Sequence, residues 1–117
     1  MKTKIILKAI SSSGEPYSVH FDFLDNKLAV FCNCPAGRYG KLCKHKTRLL
    51  DGDLSMLFDK TDQKRLEQVH EMVKKSKYTE IISSYNLLKK EIKEAQKKEK
   101  KFRGQIEYVL KTGIEIF

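Results

Sequence analysis

Three cysteines and one histidine, Cys32, Cys34, Cys43 and His45, fall within residues 32–45 of a 117-residue chain that has no other cysteine. Residues two apart on an extended segment project to the same side, so Cys32 and Cys34 can offer two thiolates to one ion. The same spacing inside a helix would splay them apart, since neighbours on a helix face are three or four apart. Cys43 and His45 therefore have to straddle a helix start, with Cys43 still in the loop and His45 in the first turn. Three thiolates and one imidazole make a closed tetrahedral set that suits Zn2+, at ~2.3 Å to sulfur and ~2.0–2.1 Å to nitrogen. Four protein ligands leave no position for water or substrate, so the expected role of the ion is structural. The competing readings are cysteines acting as small hydrophobes and a transient disulfide. The one-residue gap between Cys32 and Cys34 departs from the two-residue gap of thioredoxin-like pairs.

These ligands need elements to hold them. Residues 2–10 are rich in β-formers and read as a strand, and the turn-forming cluster Ser11–Pro16 follows. Tyr17, Val19, Phe21 and Phe23 then alternate with polar residues, the period of a half-buried strand. Asp25 and Asn26 both tolerate left-handed backbone angles and suit a tight turn. Leu28 to Phe31 resumes as a strand that runs directly into Cys32. Residues 17–31 thus form a hairpin that the first strand extends to three strands. Glycines at 37 and 40 let the loop fold back toward a helix over about 44–50, which ends at Asp51-Gly52-Asp53.

In this order of hairpin, Cys-x-Cys, loop, Cys-x-His and helix, the stretch from Tyr17 to Leu50, with CNCPAGRYGKLCKH at its centre, resembles the SWIM zinc finger. The likeness covers about a third of the chain and all four ligand positions. It implies a ββα zinc fold that binds DNA or other proteins, and it does not imply catalysis.

Charge points the same way. The chain carries a net charge of +9, and residues 26–50 contribute Lys27, Arg38, Lys41, Lys44, Lys46 and Arg48 with no acid among them. A dense patch of one sign attracts polyanions, and nucleic acid is the commonest such partner. Arg38, Lys41, Lys44, Lys46 and Arg48 are the expected phosphate contacts, with DNA favoured over RNA. Lys41, Lys44 and Lys46 are also placed to keep the thiols ionised. Tyr39, flanked by cations, has two roles open to it: stacking on a base, or covering the metal site. The alternative function is an adaptor that docks a protein, such as a larger nucleic-acid-processing partner.

Beyond residue 52, a short helix is expected near 54–58. Another follows over 61–76, with Leu66, Val69 and Val73 on one face and Thr61 or Asp62 as its N-cap. From residue 78, apolar residues recur at alternating steps of four and three from Ile81 to Val109, interrupted by a polar slot at Glu99, which is a heptad seam. Such a stripe has to pack on the preceding helix, on a second copy to give a homodimer through residues 78–110, or on another protein. Ser83-Ser84 and Gly104 are the places where the helix would break, Gly113 suits its C-terminal stop, and residues 114–117 alternate as a strand would. The lysine run at 89–101, interleaved with Glu91, Glu94 and Glu99, reads as the wet face of this helix.

The expected class is therefore α+β. A small antiparallel sheet with a ββα zinc finger occupies residues 1–52, and a helical hairpin or a long coiled-coil-like helix occupies 53–117. No apolar run reaches the ~20 residues of a membrane span, and residues 1–10 lack the features of a secretory signal. An odd cysteine count also disfavours a disulfide scaffold, so the expected location is cytoplasmic, or nuclear in a eukaryote. His20 and His70 stand apart from the cysteines and read as ordinary surface or boundary residues. The serine clusters lack a glycine elbow or a histidine base, and there is no phosphate-cradling glycine loop, so no enzymatic activity is expected.

Overall fold

The computed structural model describes residues 2–116. Three strands, β1 (Lys2–Ala9), β2 (Tyr17–Leu24) and β3 (Lys27–Cys32), form one antiparallel sheet in the order β1-β2-β3. Asp25 and Asn26 both take positive φ, 49° and 63°, as a two-residue hairpin turn with the native strand twist requires. That turn pairs Leu24 with Lys27 and carries the register through Phe21–Val30 to Val19–Cys32. On β1, Leu7 pairs with Val19 and Ile5 with Phe21. Because partners across an antiparallel pair share a face, Leu7, Val19 and Cys32 form one row on the buried side.

Helix α1 (Lys44–Leu50) and helix α2 (Gln63–Lys74) complete the first unit. Its core is built from Leu7, Val19 and Phe21 of the sheet, Leu49 of α1, Met56 and Leu57 of the connection, and Leu66 and Val69 of α2, all fully buried. Truncating one of these large aliphatics to alanine is expected to cost about 2–5 kcal/mol. The connection includes a short 3-10 turn (Leu54–Met56) and then runs along the free edge of β1. There the Ile10 amide donates to the Met56 carbonyl and the Phe58 amide to the Lys8 carbonyl, both at 2.9 Å. Asp62 precedes α2 without a side-chain cap. The capping side chain belongs to Asp59, which accepts from the Thr61 amide at 3.0 Å and starts a 3-10 turn leading into the helix.

Helix α1 ends in a Schellman motif. Gly52 takes φ 76°, its amide donates to the Leu49 carbonyl, and the Asp53 amide donates to the Arg48 carbonyl. The same glycine makes room for His70 of α2, whose Nδ1 donates to the Leu50 carbonyl at 3.0 Å. His70 is thus a boundary residue that ties two helices together.

The chain divides into two compact units between Lys77 and Tyr78. The boundary expected after residue 52 moves because residues 56–58 bond to the free edge of β1 and α2 buries Leu66, Val69 and Val73 in the first unit. The second unit is a single helix, α3 (Tyr78–Thr112). It runs unbroken through Ser83, whose hydroxyl donates to the Thr79 carbonyl of its own helix, and through Gly104, which faces open space. At its end the Gly113 amide, at φ 115°, donates to the Val109 carbonyl. Residues 113–116 form no strand, and Phe117 lies outside the described residues. Among the described residues, no helix is long and apolar enough to cross a membrane.

Candidate metal centre

Cys32 ends β3 on the buried face of the sheet, and Cys34 follows two residues later on the same side. Asn33, between them, fastens this extension to β2. Its amide donates to the Ser18 carbonyl at 3.3 Å, and its Oδ1 accepts from the Ser18 amide at 2.9 Å. Both backbone groups of Ser18 are thereby used, and the strand geometry that aligns the two thiols persists past the last ladder pair.

A 3-10 turn (Gly37–Tyr39) then reverses the chain, with the Arg38 amide donating to the Cys34 carbonyl at 2.9 Å. Gly40 adopts φ 71°, a left-handed value that favours glycine, and the Lys41 amide returns to the Ala36 carbonyl. Cys43 occupies the N-cap of α1 in extended conformation, and its carbonyl accepts from the Thr47 amide. His45 lies in the first turn of that helix, buried. Cys43 in the loop and His45 in the first turn is the arrangement that the spacing requires.

The three Sγ atoms and a ring nitrogen of His45 all lie within 4.8 Å of one another. Cys32 Sγ and His45 Nδ1 are 3.8 Å apart. Two ligands at adjacent corners of a zinc tetrahedron stand ~3.6–3.8 Å apart, so a metal ion fits among these side chains. An ion held by all four would have no open position, and the donor set is consistent with zinc.

The surroundings tune the ligands. Burial pushes the Cys32 thiol up to about 12; the Cys34 backbone amide opposes the rise, while the Cys34 side chain and the charge of Cys43 add to it. Burial also raises Cys34, but donation from the Gly37 amide at 3.2 Å, from the neighbouring thiols and from the Ala36 amide outweighs it. Cys34 is left below the ordinary thiol value. Burial lowers His45, with the charge of Lys44 acting in the same direction, so the ring favours the neutral form that ligates a metal. Backbone amides and the neighbouring thiols, rather than the expected lysines, therefore favour the Cys34 thiolate. The Tyr17 ring lies against the His45 ring, centroids 5.0 Å apart and tilted by 56°.

Of the expected nucleic-acid contacts, Arg38, Tyr39, Lys41, Lys44 and Arg48 are exposed. Tyr39 is 78% exposed, and the aromatic ring beside the metal ligands belongs to Tyr17. Lys46 requires correction. It is 8% exposed, and its Nζ donates to the Lys41 carbonyl at 3.1 Å, so it braces the loop and presents no charge to a partner.

Sequence reasoning missed Asn33 and Tyr17. The signal for Tyr17 was the hairpin register, since continuing it two residues beyond Val19–Cys32 puts Tyr17 level with Cys34. Asn33 carries no comparable signal, because an asparagine between two cysteines reads equally well as solvent-facing. Compared with known proteins, the chain matches no family model, and no curated protein or solved structure is found to be similar to it.

Proposed function

We propose that the cluster holds Zn2+ as a structural ion in a SWIM-type finger, and that the finger binds nucleic acid, DNA in preference to RNA. The observation that carries this reading is the rim of the site. Arg38, Lys41, Lys44 and Arg48 are exposed, with exposed Tyr39 among them, in a stretch that holds no acidic residue between positions 26 and 50. Three thiolates and a neutral imidazole around a divalent ion leave one net negative charge, so four exposed cations leave the rim positive. A ring as open as Tyr39 between two cations can stack on a base while its neighbours hold phosphates. With four protein ligands the zinc would have no open position for water or substrate, so the protein is read as a binding module and not as an enzyme.

The test is binding to single- and double-stranded oligonucleotides across a salt series, read by fluorescence anisotropy. Affinity should fall steeply with salt, and removing Arg38, Lys41, Lys44 or Arg48 should each reduce the log–log slope by about 0.9 on duplex DNA. Lys46→Met should leave the slope unchanged, because Lys46 is turned inward. Undetectable or salt-insensitive binding rejects the reading.

A protein adaptor is the second reading, favoured by the exposed apolar side chains of α3, such as Ile81 and Phe102, each 65% exposed. Pull-downs with and without nuclease separate the two, since partners of an adaptor persist after nuclease treatment.

A further inference from the structure

Helix α3 has 35 residues, which corresponds to ~52 Å of helix, and none of its described side chains is buried. Its apolar stripe is open along its length: Leu88 is 53% exposed, Ile92 49%, Phe102 65% and Ile106 49%. From Ile81 to Val109 these residues recur at the alternating three- and four-residue steps of a two-stranded coiled coil. A stripe of this kind asks for a second helix of similar length, and the charges flanking it indicate which helix and in which direction.

In a parallel, in-register pair, Glu99 would meet its own copy in the seam, and Lys98 would lie across from the partner's Arg103. Both juxtapositions repel. In an antiparallel pair centred between Lys93 and Glu94, both clashes disappear. Tyr85 then packs on the partner's Phe102, Ile92 on the partner's Ala95, and Ile81 on the partner's Ile106. Glu99 falls opposite the partner's Leu88, with its carboxylate held to the flank by Arg103 at 2.6 and 3.0 Å. Beside the seam, Glu91 meets the partner's Lys98 at both symmetry-related positions, an attraction in place of a repulsion.

We infer that α3 is a self-complementary surface through which two copies of this chain associate as an antiparallel coiled coil. The inference uses the second unit alone and stands or falls independently of the metal and nucleic-acid readings.

Charge reversal at one position distinguishes the two directions by sign. Lys98→Glu sets Glu91 against a carboxylate in the antiparallel pair, but places a carboxylate beside the partner's Arg103 in the parallel one. Sedimentation equilibrium of the full chain should show a dimer, and Lys98→Glu should raise its dissociation constant by about tenfold. Adding Glu91→Lys to that variant should restore the native value. Lys97→Glu, the same charge change on the outer face of the helix, should leave dimerisation as it is. The milder Lys98→Gln should weaken the dimer by a smaller factor, and far-UV circular dichroism establishes that each variant keeps its helix. A chain that stays monomeric at all concentrations, or a dimer tightened by Lys98→Glu, overturns the inference.

Discussion

Gly37 sits directly against the backbone of Cys32. A Cβ added to Gly37 would lie 2.3 Å from the Cys32 carbonyl oxygen and 2.8 Å from the Cys32 Cβ, far inside contact distance and mostly against main chain that cannot yield. The same glycine donates its amide to Cys34 Sγ. One residue therefore sets both how closely the loop returns to the strand and how the Cys34 thiolate is stabilised.

Gly37→Ala should accordingly weaken metal binding by about 10–100-fold, the usual effect of disturbing groups that orient metal ligands. Competition with a chromophoric chelator measures this. Gly104→Ala, at an open position on α3, should bind metal as the native protein does.

Metal-free protein should lose stability at both ends of the pH range. His45 is depressed below its ordinary 6.5 chiefly by burial. The unfolded chain thus takes up a proton before the folded one, and this contribution is present above pH 6.5 and lost as pH falls through the lowered value. Cys32 is raised from 9.0 to about 12, again chiefly by burial. Its contribution is present below pH 9 and is lost as pH rises toward 12. Bound metal takes the thiolate and the neutral ring, so the alkaline loss should disappear in the metal-loaded protein, while acid should promote metal release. Urea midpoints across pH, with and without metal, follow both limbs.

Much of this was legible because local chemistry and tertiary demand agree. The Asp25-Asn26 turn, the alternation of β2 and the loop-to-helix placement of Cys43 and His45 each follow from residue type and spacing. The continuous α3 was less so. Ser83-Ser84 and Gly104 look like breaks, yet a serine can bond back to its own helix and a solvent-facing glycine costs only ~1 kcal/mol, which 35 residues of helix absorb. Lys46 misled because charge density alone does not tell which lysine in a cluster turns inward to a carbonyl. The boundary at Lys77 was hidden because a short amphipathic helix such as α2 does not reveal in sequence which core will bury it.

Gly52 and His70 should be coupled energetically. A Cβ on Gly52 would lie 2.9 Å from the His70 ring, and the positive φ adds about 1–2 kcal/mol of strain for any other residue. Gly52→Ala should therefore destabilise the first unit by more than that strain alone. His70→Ala should cost about 1 kcal/mol through loss of the bond to the Leu50 carbonyl. In the double variant the ring clash is gone, so the combined cost should fall below the sum. Thermal or urea unfolding of the four proteins measures the difference.

The most direct test of the metal centre is X-ray absorption at the zinc edge on purified native protein. One zinc per chain with three sulfurs at ~2.3 Å and one nitrogen at ~2.0–2.1 Å is the predicted shell, and Cys43→Ser should replace one sulfur with a lighter atom. A shell dominated by oxygen, a different sulfur count, or protein that retains no zinc would contradict the account.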